Sequence, residues 1–258
     1  MRLNKLNILD KISLYLSLSL YFSLLAAVVC SQANAESLIQ WQSSNIQLLR
    51  GSDYELTEPH GTIVTFEYVN QWSYGDFFMF IDQSKFDDGE KNTYGEISPR
   101  FSFNKLTGQD LSNGVIKDVY LSTTIEKGKG GVKAYLLGTG VDVDIPGFSF
   151  FNANIYTRHN PDLDDDTWQV TLAWQYPFLL GSTNWMTEGF ADFAGDAESG
   201  YVSNQHIVPR LLIDVSGVVN MKGDSLWMGI EYSFWTNKYG VNGIDERAVQ
   251  AQIKWVFL

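Results

Sequence analysis

The feature that most constrains the fold is an alternation of apolar and polar side chains along the chain. Between Thr167 and Tyr176, apolar residues such as Trp168, Leu172 and Trp174 occupy the even positions, and Thr, Gln or Ala occupies each odd position. Successive side chains point to opposite faces in a β-strand, so this period of two predicts a strand with one apolar and one polar face.

The same alternation predicts twelve strands and no helix of consequence. The strands lie near residues 38–50, 62–74, 76–83, 93–103, 115–126, 132–143, 148–159, 167–176, 183–194, 205–218, 226–235 and 249–257, and only 76–83 is apolar on both faces. An even strand number is typical of single-chain bacterial outer-membrane barrels, in which a tilted strand needs about 10 residues to cross the membrane. We therefore predict an all-β fold, a transmembrane antiparallel β-barrel of about 12 strands over residues 36–258.

A water-soluble β-sandwich would also show alternation, so the two folds must be separated by other features. Several apolar faces carry an aromatic residue near one end, as at Trp72, Tyr74, Trp185 and Phe257. Rings at strand ends are typical of the aromatic girdles that lie at the two membrane interfaces. A sandwich would bury its rings centrally, so their position favours the membrane barrel.

The N-terminal 35 residues have the pattern of an export signal. Arg2, Lys5 and Lys11 precede an uncharged stretch over 12–29, and Ala33-Asn34-Ala35 provides small residues at a cleavage site. We predict a signal peptide over 1–35 that is cleaved after Ala35, although the apolar stretch is also long enough for a membrane anchor.

Cleavage would remove the single cysteine, Cys30, and would change the formal net charge from −12 to −14, because three cations and one acid leave with the signal. A chain this acidic is not predicted to bind nucleic acid.

The segments between the strands predict which connections face outward. With both chain ends on the periplasmic side, the external loops are 51–61, 84–92, 127–131, 160–166, 195–204 and 237–245. Several are acidic, and the run from Asp162 to Asp166 has the carboxylates of a cation-binding loop without the glycine and distal Glu of an EF-hand. We interpret it as a solvated acidic loop and leave open divalent bridging to lipopolysaccharide phosphates.

A family resemblance is found at the fourth predicted strand. The block from Pro99 to Ser112, PRFSFNKLTGQDLS, resembles a segment of the nucleoside-specific channel-forming proteins of Gram-negative outer membranes, the Tsx/OmpK family. The resemblance continues through Val115–Glu126 and Leu137–Asp144, and more weakly through Gly189–Phe193. It implies a monomeric twelve-stranded barrel whose narrow lumen passes nucleosides, and which in some relatives serves as a phage or colicin receptor. Relatives commonly end on an aromatic residue that the outer-membrane assembly machinery recognises, whereas this chain ends Phe257-Leu258.

If the apolar faces meet lipid, the opposite faces line a lumen. The candidate substrate-binding or pore-lining residues are Glu67, Glu96, Arg100, Asp118, Tyr120, Tyr156, Arg158, Glu188, Phe190, Asp192, Arg210, Asp214, Trp227, Glu231 and Trp235. Aromatic rings can stack on a nucleoside base, and carboxylates can accept hydrogen bonds from ribose hydroxyls. The ionic residues could instead pair with one another to fill a small barrel, as the i, i+4 spacing of Arg100 with Glu96 and of Arg210 with Asp214 suggests.

Two alternative functions remain for such a barrel. A non-selective or structural surface barrel could act mainly in adhesion or in phage attachment. An acyl-active enzyme would need a nucleophile, but His60, His159 and His206 lie outside any recognisable serine or cysteine nucleophile motif. We therefore predict no catalysis, no metal and no cofactor, and we predict nucleosides, membrane lipid, lipopolysaccharide and the assembly machinery as partners.

Overall fold

A computed structural model describes residues 38–129, 132–161 and 165–258, in which twelve strands form one closed antiparallel barrel. The signal-peptide prediction and residues 162–164 of the acidic loop lie outside these described residues. The strands are β1 Ile39–Ser52, β2 Gly61–Trp72, β3 Gly75–Phe86, β4 Lys91–Ser102, β5 Ile116–Gly128, β6 Lys133–Val143, β7 Phe150–Asn160, β8 Asp165–Leu180, β9 Thr183–Ala194, β10 Asn204–Asp214, β11 Leu226–Thr236 and β12 Glu246–Val256. The predicted fold and strand number are confirmed.

Each strand pairs with its neighbours in sequence, and β1 pairs with β12 to close the barrel. The closing register runs from Asn45 opposite Val256 to Ser52 opposite Val249. Because closure leaves no strand edge unpaired, the backbone N–H and C=O groups are satisfied without water, as a bilayer requires. The two terminal strands begin and end at one end of the barrel, called here the terminus end, and the opposite end is called the loop end.

The burial pattern shows that the barrel has a polar interior and an apolar exterior. In β12, the even positions from Glu246 to Lys254 are buried and the odd positions, including Val249 and Ile253, are exposed. Buried polar side chains are found inside the barrel, with Gln47 and Gln252 almost fully enclosed. Apolar side chains project outward instead, which is the arrangement expected when the surrounding solvent is lipid. No helix among the described residues is long and apolar enough to cross a membrane.

The longest connection at the terminus end contains a short helix, α1, over Phe103–Thr107. Its N-cap is Ser102, whose side chain accepts a hydrogen bond from Lys105 N, and Gly108 ends it in the left-handed conformation at φ 69°. The Lys105 ammonium donates to Trp72 O at 2.8 Å and to Gly75 O at 3.2 Å. The helix therefore supports the β2–β3 turn, which accounts for the unusual length of this inner connection.

Strand β10 is shorter than the sequence indicates. The alternation predicts a strand over 205–218, but β10 ends at Asp214 and a 3-10 helix follows over Ser216–Val219. Asp214 accepts hydrogen bonds from Ser216 N at 2.9 Å and from Ser216 Oγ at 2.5 Å. These bonds turn the backbone away from the sheet, so the predicted end was wrong by four residues.

Candidate pore lining

All fifteen residues predicted to line the pore lie on strand positions that face the interior. Their burial follows the inner parity of each strand, and several reach partners on non-adjacent strands across the interior. Whether any of them contacts a solute stays a prediction.

The largest ionic cluster joins five inner side chains from five strands. The Arg210 guanidinium lies 2.5 Å from Glu231 Oε2, 3.2 Å from Glu67 Oε1 and 3.6 Å from Glu188 Oε1. Lys254 Nζ lies 2.6 Å from Glu188 Oε1 and 4.0 Å from Glu67 Oε2. Three carboxylates thus share two cations in a buried site, where each charge needs its partners because removal from water is costly.

Two further arginines form ion pairs inside the barrel. Arg100 lies 2.6 Å from Asp76 and 3.0 Å from Asp142, and Arg158 lies 2.5 Å from Glu126. Ionic pairing across strands is therefore the observed role of these side chains.

The specific pairs suggested by the i, i+4 spacing were wrong. Arg100 does not pair with Glu96, and Arg210 does not pair with Asp214. Positions four residues apart in one strand are separated by about 13 Å, whereas neighbouring strands lie about 5 Å apart. Cross-strand partners are therefore within closer reach than partners on the same strand.

Two of the predicted pore-lining residues, Asp118 and Asp214, have both carboxylate oxygens occupied at the terminus end. Asp118 accepts from Ser102 Oγ, Asn104 N and its neighbour's backbone amide at Val119. Asp214 accepts from Ser216 and from Asp224 N. These two residues organise the adjacent turns, so their carboxylates are engaged by the protein itself.

The predicted stacking residues differ in how much of each ring is available. The Arg100 guanidinium covers one face of Tyr120 at 4.2 Å, and the Tyr120 hydroxyl donates to Asp142 at 2.9 Å. Trp227 packs against Met186 and Leu212 at the terminus end. Trp227 and Lys254 also line a cavity of about 470 Å³ at that end.

An aromatic row on β3 and β4 was not predicted from the sequence. Phe78 and Phe80 face the interior with ring centroids 6.0 Å apart, and Tyr94 lies 5.8 Å from Phe80. Because the 76–83 segment is apolar on both faces, the alternation does not show which face points into the barrel. Asp76 and Asp82 share the parity of the two phenylalanines, and this spacing could have identified their side of the strand.

Phe80 is flanked in register by two carboxylates. Glu67 of β2 lies directly opposite it on one side, and Glu96 of β4 on the other. Directly opposite residues in antiparallel strands have Cβ atoms about 5 Å apart, so ring and carboxylates form one continuous strip. Tyr94 donates its hydroxyl to Glu96 at 2.7 Å, and Asn45 donates to Glu67 at 3.0 Å. The strip lies at the middle of β3, between the two ends of the barrel.

A folded external loop packs against the barrel at the loop end. A 3-10 helix over Lys238–Gly240 places the buried Lys238 ammonium against Glu246, which also accepts a hydrogen bond from Glu55 N at 2.9 Å. Trp235 stacks on His206 with ring centroids 4.0 Å apart. Glu246 therefore holds two external loops together at this entrance.

His206 and Ser233 lie within hydrogen-bond distance inside the barrel, as a base and a nucleophile do in a hydrolase. His206 Nε2 lies 3.0 Å from Ser233 Oγ, but the nearby carboxylate of Glu246 accepts from the serine at 3.3 Å and does not orient the histidine. These residues therefore do not form the arrangement of nucleophile, base and orienting acid found in a catalytic triad. Within the described ranges, no group of three or more His, Cys, Asp or Glu side chains could hold a metal ion.

Comparison with solved structures supports the architecture. The barrel is similar to the KdgM porin, with a TM-score of 0.50 and 8% sequence identity over 83% of this chain and 99% of that one. An identity this low shows the fold alone.

Comparison with curated proteins and family models identifies relatives. The chain is 25% identical to outer membrane protein OmpK of Vibrio parahaemolyticus over 67% of each chain. It is 35% identical to the nucleoside-specific channel-forming protein Tsx of Salmonella typhimurium over 33% of this chain and 35% of that protein. The model of the nucleoside-specific channel-forming protein family, Tsx, matches residues 40–256. This chain therefore belongs to the Tsx family, as an outer-membrane channel and not an enzyme.

Proposed function

We propose that the channel passes nucleosides by diffusion through the barrel interior. The family's description supports this substrate class, and the inner strip formed by Glu67, Phe80 and Glu96 is the observation that carries it. A nucleoside presents a flat base and a ribose with hydroxyl groups. The strip offers a ring for the base and, at Glu96, a carboxylate that can accept from the hydroxyls. Glu67 already accepts from Asn45 and Arg210 and holds the other side of the strip in place.

The strength of such a site suits a channel. Stacking of a base on an aromatic side chain contributes roughly 1–3 kcal/mol, which is enough to enrich a solute without trapping it. Phe78 and Tyr94 continue the row on either side of Phe80, so a base can pass from one ring to the next.

The charge of the lining favours a neutral solute. Inner carboxylates outnumber inner cations, and Arg100, Arg158, Arg210, Lys238 and Lys254 all form ion pairs. A phosphorylated nucleotide would meet this acidic lining with its own negative charge. We therefore expect nucleosides to enter more readily than nucleotides.

Single-channel recording in planar bilayers tests the proposal. Addition of a nucleoside should interrupt the ion current at lower concentration than a sugar of similar size. Phe80→Leu should weaken this block by about tenfold, because base stacking is lost. Phe77→Leu is the matched control, since Phe77 is on the same strand and faces outward.

The proposal would be wrong if sugars and nucleosides blocked the current equally, or if the Phe80 and Phe77 variants behaved alike. Equal permeation would instead favour a non-selective barrel whose loops act in attachment. Glu96→Gln should give a smaller loss than Phe80→Leu, because an amide oxygen still accepts a hydrogen bond from a ribose hydroxyl.

A further inference from the structure

The exposed cations of the barrel are concentrated at one part of its outer surface. Together with the half-buried Lys133, they form a set that we name the basic rim, which consists of Arg50, Lys85, Lys91, Lys127, Lys129, Lys133 and Arg247. All seven lie at the loop end, in the sector that runs from β12 through β1 to β6, and six lie on outward-facing strand positions. The described parts of β7 to β11 carry no Lys or Arg on their outward faces, so the charge lies on one side of the barrel.

The basic rim contains two pairs of lysines that lie directly opposite one another. Lys85 of β3 is the register partner of Lys91 of β4, and Lys127 of β5 is the register partner of Lys133 of β6. Directly opposite like charges destabilise an antiparallel pair. Two such pairs on consecutive hairpins therefore repel, and an anion between them would offset the repulsion. The Lys133 ammonium also lies 5.3 Å from the centre of the Tyr135 ring, which holds it at the outer surface.

The neighbouring carboxylates pair with two other members of the basic rim, Arg50 and Lys129, and not with the opposed lysines. Asp87 receives two hydrogen bonds from Arg50, each of 2.7 Å, and Glu90 lies 3.4 Å from Lys129 Nζ. Among ion pairs of 4.0 Å or less in the described part of the chain, none includes Lys85, Lys91, Lys127 or Lys133. Lys129 also donates to Lys91 O at 2.7 Å, which joins the two hairpins into one surface.

The outer surface below the basic rim is apolar. Ile81, Ile97, Ile125 and Leu137 project outward from the same four strands and are between 40% and 58% exposed. This surface suits the acyl chains of a lipid, while the lysines above it lie at headgroup height. A ligand that fits both the lysine pairs and the apolar surface is an amphiphile with more than one phosphate, and not a free anion.

We propose that the basic rim binds the phosphorylated headgroup of a glycolipid of the outer leaflet. Each opposed lysine pair holds phosphate oxygens, which removes the repulsion between its two ammonium groups. Because external loops of bacterial barrels lie on the side opposite the chain termini, the loop end meets the leaflet in which such lipids reside. The glycolipid would then be held on the β3–β6 side and not around the whole barrel.

Native mass spectrometry of the barrel in a neutral detergent tests this site. The probes are lipid A with two phosphates, the same lipid with its phosphates removed, and inorganic phosphate. Lys85→Gln with Lys91→Gln, and Lys127→Gln with Lys133→Gln, should each weaken binding of the phosphorylated lipid on the order of tenfold. The matched control is Lys117→Gln with Lys222→Gln, which removes two exposed lysines at the terminus end and should leave binding unchanged.

Thermal unfolding gives a second measurement that guards against misfolded variants. Without lipid, the Lys127/Lys133 variant should unfold at the same or a higher temperature than the unmodified protein, because a repulsive pair is gone. Phosphorylated lipid should raise the unfolding temperature of the unmodified protein more than that of the variant. The proposal is overturned if rim and control variants bind alike, if dephosphorylated lipid binds equally well, or if inorganic phosphate at equal concentration displaces the lipid.

Discussion

Lys254 of β12 donates a hydrogen bond to Glu188 of β9 at 2.6 Å, although β10 and β11 lie between their strands. Arg210 and Glu67 extend the same cluster to β10 and β2. These side chains therefore link strands that do not pair with one another through backbone hydrogen bonds. This cluster contributes to the shape of the lumen as well as to its charge.

Replacement of Lys254 tests the contribution of this cluster to stability. Lys254→Met should lower the free energy of unfolding by about 3 kcal/mol, because Glu188 loses a short ion pair and stays buried. The measurement is denaturant unfolding in lipid vesicles. Lys222→Met is the control, since Lys222 is exposed in the connection between β10 and β11. Equal stability of the two variants would contradict the prediction.

Glu246 should control the order of the loop-end entrance. Glu246→Ala removes the partner of Lys238 and of Glu55 N, so both external loops lose an anchor. Chymotrypsin should then cleave after Tyr239 at least several-fold faster than in the unmodified protein. Glu198→Ala, in a neighbouring external loop, should not change the rate, and a change in both variants would show that Glu246 has no special role.

The pair formed by Arg50 and Asp87 gives a prediction about pH. Hydrogen bonds from the Arg50 guanidinium hold the pKa of the Asp87 carboxyl below its usual value. A lowered pKa stabilises the folded loop above the unfolded-state pKa, and that stabilisation is lost as the pH falls through the folded-state pKa. Arg50→Gln should return the pKa of Asp87 towards its usual value, as measured by carbon NMR of the carboxyl group. An unchanged titration curve would contradict the prediction.

Neighbouring positions of β8 test both the predicted signal cleavage and the assignment of the two faces. If the chain is cleaved after Ala35, the mature protein starts at Glu36, contains no thiol and does not react with maleimide. Ala173→Cys should then react with a charged, water-soluble maleimide, and Leu172→Cys should react only with a lipid-soluble one. Intact mass measurement checks the N-terminus. Labelling of the unmodified protein would contradict cleavage, and identical labelling of the two variants would contradict the faces.

The sequence predicts well whether a residue faces inward or outward, because side chains alternate along a strand and the facing of one residue fixes that of all the others. In β8, Thr171 and Leu172 fall on the predicted faces, since a one-residue slip would place apolar side chains inside. The same logic failed for Phe78 and Phe80, because their strand is apolar on both sides.

Ion-pair partners could not be predicted in the same way. Arg210 and Glu67 are 143 residues apart in sequence and lie on non-adjacent strands. Their contact depends on the stagger and tilt of the strands, which alternation does not encode. For the same reason, the predicted pairing of Arg210 with Asp214 was wrong: Asp214 accepts a hydrogen bond from Ser216 N where the strand ends.

The pairing of β1 with β12 has a consequence for how the barrel is built in the cell. One edge of β1 pairs with the next strand, β2, but its other edge pairs only with the last strand, in a register from Asn45–Val256 to Ser52–Val249 that spans nearly the full chain. Until β12 is synthesised, the open sheet has two unpaired edge strands that can pair with strands of other polypeptides. Newly synthesised chains therefore need a chaperone that covers these edges until the chain reaches the membrane. A truncation that removes β12 should give insoluble protein and not a smaller pore.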